Sequence, residues 1–148
     1  VAQTVWPGRM TKTAEHPYIY VDGAHNAAAW ENLRASVEKY FTNRRVIYII
    51  GVLKDKEYEK MVEILAPTMA AAVVITPDTP RGLPKEILAP LLQEKGVPVQ
   101  LADTGADALK RAREQAGKED VILVSGSLSF LAEYLQLESG DEKNGANR

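Results

Sequence analysis

The sequence predicts an α/β fold, a mostly parallel sheet of five or six strands with helices on both faces. Two observations predict it. Five short runs rich in β-branched and aliphatic residues recur along the 148 residues, and most are followed by a helical pattern long enough for a crossover. The runs are also nearly continuous in apolar residues rather than alternating, as strands buried on both faces require.

The expected strands are residues 18–21, 46–50, 72–76, 97–101 and 121–124. Between the first two, residues 27–41 space Trp30, Leu33, Val37 and Phe41 three and four apart, so one apolar stripe faces the sheet while Glu31, Arg34 and Glu38 face water. Residues 57–65 repeat this with Met61, Ile64 and Leu65, and Pro67 marks the end. A third helix over 84–95 opens with Pro84 and stops at Gly96, the usual asymmetry of helix ends. Thr104 can cap a fourth over 106–115, whose buried side is Ala108, Leu109 and Ala112. A fifth over 128–135 carries Leu128, Leu131 and Leu135.

Composition bounds the rest. The length fits one domain, expected over residues 1–137, and the polar, glycine-containing residues 138–148 read as a disordered tail. The opening Val1-Ala2-Gln3-Thr4-Val5-Trp6-Pro7-Gly8-Arg9 lacks Met and reads as a loop or crossover, which suggests a fragment. A net charge of -2 gives no basic excess for nucleic acid as the main partner, and no apolar run is long enough for a membrane span. Cysteine is absent, which excludes disulfides and thiolate chemistry and suits a cytoplasmic location.

In an open parallel sheet, ligands bind at the carboxyl ends of the strands. Asp22–Asn26, Gly51–Lys56, Pro77–Gly82 and Ser125–Ser127 follow four of the predicted strands, so all four are expected at one edge. In Asp22-Gly23-Ala24-His25-Asn26, glycine permits a tight turn, and Asp22 offers acceptor oxygens suited to ribose hydroxyls. Chemistry alone equally allows Asp22 to be a turn residue and Asn26 a helix cap. Arg9 follows a Pro-Gly turn and is either a phosphate ligand or a solvated end residue. Lys56 offers a cation for a carboxylate, Asp55 reads as the N-cap of the next helix, and Asp78 with Arg81 reads as a turn-stabilising pair. Ser125-Gly126-Ser127 opens a helix, where hydroxyls and free N–H groups suit a carboxylate.

These motifs, in this order, resemble those of folylpolyglutamate and dihydrofolate synthases of the Mur ligase superfamily. The resemblance rests on Trp6-Pro7-Gly8-Arg9, Asp22-Gly23-Ala24-His25-Asn26, Gly51-Val52-Leu53-Lys54-Asp55-Lys56, Thr76-Pro77-Asp78-Thr79-Pro80-Arg81 and Ser125-Gly126-Ser127-Leu128. It covers roughly residues 5–137 and departs from the family pattern at Thr11, Ala27 and Ser129, where many members carry Glu, Pro and an aromatic residue.

The resemblance implies a Rossmann-like C-terminal domain of a monomeric ligase that uses ATP and Mg2+ to add L-glutamate to folate or dihydropteroate through an acyl phosphate. It assigns Arg9, Asp22, His25 and Asn26 to the nucleotide, and His25, Lys56, Ser125 and Ser127 to glutamate. The sequence contains neither Gly-x-x-x-x-Gly-Lys-Ser/Thr nor Gly-x-Gly-x-x-Gly. The phosphate-binding loop is therefore expected in an N-terminal ATPase domain of the same enzyme, and the fragment alone is expected to be inactive. Two alternatives stay open: another amino-acid ligase of the superfamily, or a stand-alone flavodoxin-like binding domain.

Overall fold

A computed structural model describes residues 4–5, 11–14, 18–24 and 26–126. The elements run β1 (Thr4–Val5), β2 (Thr11–Ala14), β3 (Tyr18–Asp22), α1 (Ala27–Tyr40), β4 (Val46–Gly51), α2 (Tyr58–Leu65), β5 (Ala71–Ile75), α3 (Lys85–Glu94), β6 (Val99–Ala102), α4 (Gly105–Gln115) and β7 (Val121–Gly126). A short 3-10 turn, Ala66–Thr68, links α2 to β5. The helix expected over 128–135 and the tail from 138 lie outside the described residues. No helix among the described residues is long and apolar enough to cross a membrane.

The sheet order is β1-β2-β3-β7-β4-β5-β6, with β3, β7, β4, β5 and β6 parallel. These are the five strands anticipated from sequence. β2 pairs antiparallel with β3 and β1 with β2, extending the sheet to seven. β1 lies in the stretch that the sequence suggests is a loop or crossover, and β2 was not anticipated, because Thr11, Lys12 and Thr13 present no apolar run.

Both faces of β3, β7, β4 and β5 are buried, so each of these strands supplies alternate residues to two separate cores, whereas β6, at the sheet edge, leaves Gln100 and Leu101 exposed and departs from the continuous burial expected of it. Tyr20, Tyr48, Ile50, Ala72, Val74 and Leu123 pack under α1, α2 and α3. Ile19, Val21, Ile47, Ile49, Val73 and Val124 pack under α4. The predicted stripe of α1 is buried, with Leu33 at the deepest point. Burial of each such side chain contributes roughly 1.5–3 kcal/mol.

The sixth strand begins two residues later than expected. Gly96, at φ 84°, ends α3: its N–H donates to the Gln93 carbonyl at 2.9 Å, and the Val97 N–H donates to the Leu92 carbonyl at 3.2 Å. This is a Schellman closure, so Val97 completes the helix end and buries itself beside Leu92. Pro98 then offers only its carbonyl, which accepts from Ala72.

Candidate functional site at the carboxyl edge of the sheet

Asp22 is the last residue of β3, and its register partner on β7 is Ser125, which is also the partner of Ile50 on β4. Side chains in register on parallel strands share a face. Asp22 and Ser125 therefore stand side by side on the face covered by α1, just beyond the apolar layer of Tyr20 and Leu123. Both are enclosed, at 2% and 1% exposure.

The Asp22 carboxylate begins the turn into α1. Its Oδ2 accepts from the Ala24 N–H at 2.8 Å, the Asx-turn role that chemistry alone allowed. Asn26 caps α1: its Oδ1 accepts from the Ala29 N–H at 2.9 Å. Both structural roles are thus realised. They leave the amide N–H2 of Asn26, an exposed residue, as an available donor at the start of the helix.

Ser125 differs from its neighbour. Its Oγ is buried and has no hydrogen-bond partner, which makes it one of two such side-chain atoms among the described residues. A hydroxyl left in this state costs roughly 1–3 kcal/mol, so the position calls for an explanation beyond packing.

The loops after β4 and β5 are joined into one wall. Lys54 N–H donates to the Arg81 carbonyl at 2.8 Å, Leu83 N–H donates to the Val52 carbonyl at 2.9 Å, and Leu53 bridges Gly82. The approach requires glycine at position 51, and the tight turn within the loop after β5 requires it at position 82. A Cβ on Gly51 would lie 2.9 Å from the Ile75 carbonyl oxygen, and one on Gly82 would lie 2.4 Å from that of Pro77.

Charges along this wall are sorted by pairing. Arg81 is bound to Asp55, and the hydrogen bond from its guanidinium holds the Asp55 carboxyl below the usual carboxylate range. Asp55 is therefore not the cap of α2, whose N-cap is Glu57, and Arg81 pairs with Asp55 rather than with Asp78. Lys85 is held by Asp103 at 3.2 Å and Glu86 at 3.4 Å, contacts that raise its pKa. Lys56 is half-buried and forms no ion pair among the described residues.

Of the residues expected at this edge, Asp22 and Ser125 stand at the carboxyl ends of β3 and β7, and Asn26 and Lys56 follow β3 and β4. Arg9, His25 and Ser127 lie outside the described residues. The Asp55–Arg81 tie was not foreseen, since its partners come from different loops and no local spacing signals it. Among the described residues no group of three or more His, Asp or Glu is arranged to hold a metal ion.

Comparison with known proteins adds four likenesses. Residues 8–128 match the family model described as Mur ligase, glutamate ligase domain. The chain is 30% identical over 135 residues to dihydrofolate synthase/folylpolyglutamate synthase of Bacillus subtilis, covering 90% of this chain and 30% of that protein. It superposes on E. coli FolC in complex with DHPP and ADP with a TM-score of 0.84, at 28% identity, over 93% of this chain and 32% of that one. It also superposes on a bifunctional folylpolyglutamate synthase/dihydrofolate synthase with Mn, AMPPNP and L-glutamate bound. There the TM-score is 0.78 at 25% identity, over 89% of this chain and 31% of the other. The chain thus spans about a third of the length of these relatives.

Proposed function

Because the chain belongs to the glutamate ligase domain family of the Mur ligases, we propose that it forms one wall of an ATP-dependent ligase site that joins L-glutamate to folate or dihydropteroate. The observation that carries this reading is the in-register pair Asp22 and Ser125, at the same sheet edge as the paired loops that present Lys56. That edge offers acceptors and a cation to a ligand with ribose hydroxyls and a carboxylate. The relatives with bound nucleotide and L-glutamate support the same pair of ligands.

In this proposal the γ-phosphoryl group of ATP passes to the acceptor carboxylate, giving ADP and an acyl phosphate. The amine of glutamate attacks the acyl carbon, the C–O bond to phosphate breaks, and an amide forms with loss of a proton. Asp22 accepts from the ribose hydroxyls, which requires the turn at residues 22–26 to open toward the nucleotide. Arg9 meets the phosphates, where its planar fork matches phosphate oxygens. Asn26 donates its amide to the nucleotide.

His25 stands between nucleotide and glutamate, and Lys56 with Ser127 holds the glutamate carboxylate. Ser125, expected beside them, is buried at the strand end like Asp22 but has a shorter side chain, so we place it behind the ligand surface rather than against glutamate. The phosphate-binding loop, and with it the Mg2+ that accompanies ATP, belongs to the remainder of a longer, monomeric, cytoplasmic enzyme. The isolated chain therefore carries out no ligation.

The test is calorimetric titration of ATP and of L-glutamate into the full-length ligase and its Asp22→Ala and Ser127→Ala variants. Asp22→Ala weakens ATP and Ser127→Ala weakens glutamate, each by roughly tenfold or more, the loss expected when a hydrogen bond to a charged group is removed. If neither change moves either affinity, the assignment fails. Comparing folate with dihydropteroate as acceptor in the same preparation identifies the substrate.

A further inference from the structure

We infer that Ser125 is a positioning residue for Asp22, its hydroxyl donating to the Asp22 carboxylate when nucleotide is bound; the inference rests on the proposal that Asp22 meets the nucleotide. Three observations lead to it. Ser125 Oγ is fully buried and unpartnered, so its hydroxyl is a donor held in reserve rather than one already spent on the fold. Its nearest acceptor by topology is Asp22: the two are register partners at the strand ends, on strands about 4.8 Å apart, and their side chains share a face. The charge of Asp22 also acts on that face, because it adds to the burial that raises the pKa of the Tyr48 phenol, two residues before the Ile50 that pairs with Ser125.

Reach decides which member of the pair meets the ligand. A carboxylate extends one bond farther from its strand than a hydroxyl does, so a molecule arriving at the edge encounters Asp22 first. In the structure the carboxylate is turned toward the backbone, with Oδ2 on the Ala24 N–H. When the turn opens and Asp22 swings to the ribose hydroxyls, the carboxylate needs a second fixed donor to define its plane. Ser125 lies at its flank on the neighbouring strand β7, which is paired on both sides, and an O–H donor to an ionised carboxylate is among the stronger hydrogen bonds. Nucleotide binding then satisfies a hydroxyl that is unsatisfied without it.

This arrangement has an unusual signature. Replacing an unsatisfied buried hydroxyl by hydrogen is close to neutral for the unliganded fold, whereas removing a donor that acts in the complex weakens binding. In the full-length ligase, Ser125→Ala leaves the thermal midpoint without ligand unchanged or slightly raised, and lowers ATP affinity about threefold to tenfold. Glutamate affinity, measured separately, stays the same. In an Asp22→Ala background the Ser125→Ala change has no further effect on ATP, because the group it positions is gone.

A loss of glutamate affinity with ATP binding intact overturns the inference, and so does a lowered midpoint with both affinities intact. An additive loss in the double variant overturns it as well, since Ser125 then acts on the nucleotide without Asp22. If Asp22→Ala itself leaves ATP affinity unchanged, the nucleotide assignment of Asp22 fails, and this inference fails with it. If only Ser125→Ala is silent, the nucleotide assignment stands and the positioning role falls.

Discussion

The guanidinium of Arg81 donates to Oδ2 of Asp55, linking the loop after β5 to the loop after β4 across 26 positions of sequence. Both side chains are more than half exposed, so the pair is weakened by salt and adds little to global stability. Its effect is on pH dependence. The Asp55 pKa is lowered in the folded protein, chiefly by the hydrogen bond from Arg81. A depressed carboxylate contributes stability above its unfolded pKa and loses it as pH falls through the folded value. The difference in unfolding midpoint between the natural chain and Asp55→Asn should therefore be present at neutral pH and close on acidification below the ordinary carboxylate range. Parallel thermal melts from pH 7 to pH 2 check this, and a difference that grows toward low pH contradicts it.

Gly51→Ala tests the fit between these loops. The added Cβ would sit 2.9 Å from the Ile75 carbonyl oxygen, 3.1 Å from Ile75 Cγ2 and 3.2 Å from Pro77 Cγ. A backbone oxygen in a parallel ladder cannot turn aside as a flexible side chain can, so β4 and β5 must separate at their carboxyl ends. We expect a loss of about 1–3 kcal/mol in urea unfolding, with the slope of the transition retained. The same separation displaces Lys56, so glutamate affinity in the full-length ligase falls with it.

Asn26 carries two duties that one substitution separates. Its Oδ1 caps α1 through Ala29, while its N–H2 group is the donor proposed for the nucleotide. Asn26→Asp keeps a good cap and favours the positive end of the helix, but it removes the donor and adds negative charge. Stability should hold while ATP affinity drops. Asn26→Ala should also lose about 1 kcal/mol of stability from the missing cap. Melting and titration of the two variants side by side distinguish cap from ligand contact.

The parallel sheet was legible because Val46–Gly51, Ala71–Ile75 and Val121–Gly126 are apolar almost without interruption, and burial on both faces leaves few other readings. Caps with a local partner were legible too: Thr104 accepts from Asp107 three residues on, a spacing visible in the sequence. What escaped depends on distant chain. β1 and β2 exist because β3 offers an edge to pair with, and Thr11 and Lys12 say nothing of that by themselves. Asp55 lies just before a helix and so resembled a cap, but the chain makes a further tight turn, Tyr58 N–H to the Lys56 carbonyl, before α2 begins. That turn carries Asp55 away from the helix end and toward Arg81. The unsatisfied hydroxyl of Ser125 was equally invisible, because its isolation is a property of register with β3 and β4 rather than of its own neighbours in sequence.

Gly96 allows the cost of backbone conformation to be measured without interference from packing. At φ 84° it occupies the left-handed region, and a Cβ added there would meet nothing within 4 Å. The penalty for Gly96→Ala is therefore conformational, about 1–2 kcal/mol for a left-handed non-glycine residue. Asn, whose short polar side chain tolerates this region, should recover part of that loss. The effect should be confined to stability, because Gly96 ends α3 at the amino side of β6, across the sheet from the carboxyl edge that carries Asp22 and Ser125. Chemical denaturation of Gly96→Ala and Gly96→Asn, with ATP affinity measured in the full-length ligase, provides the check. A large change in affinity with little change in stability would mean that α3 and the site move together, although they lie at opposite ends of the strands.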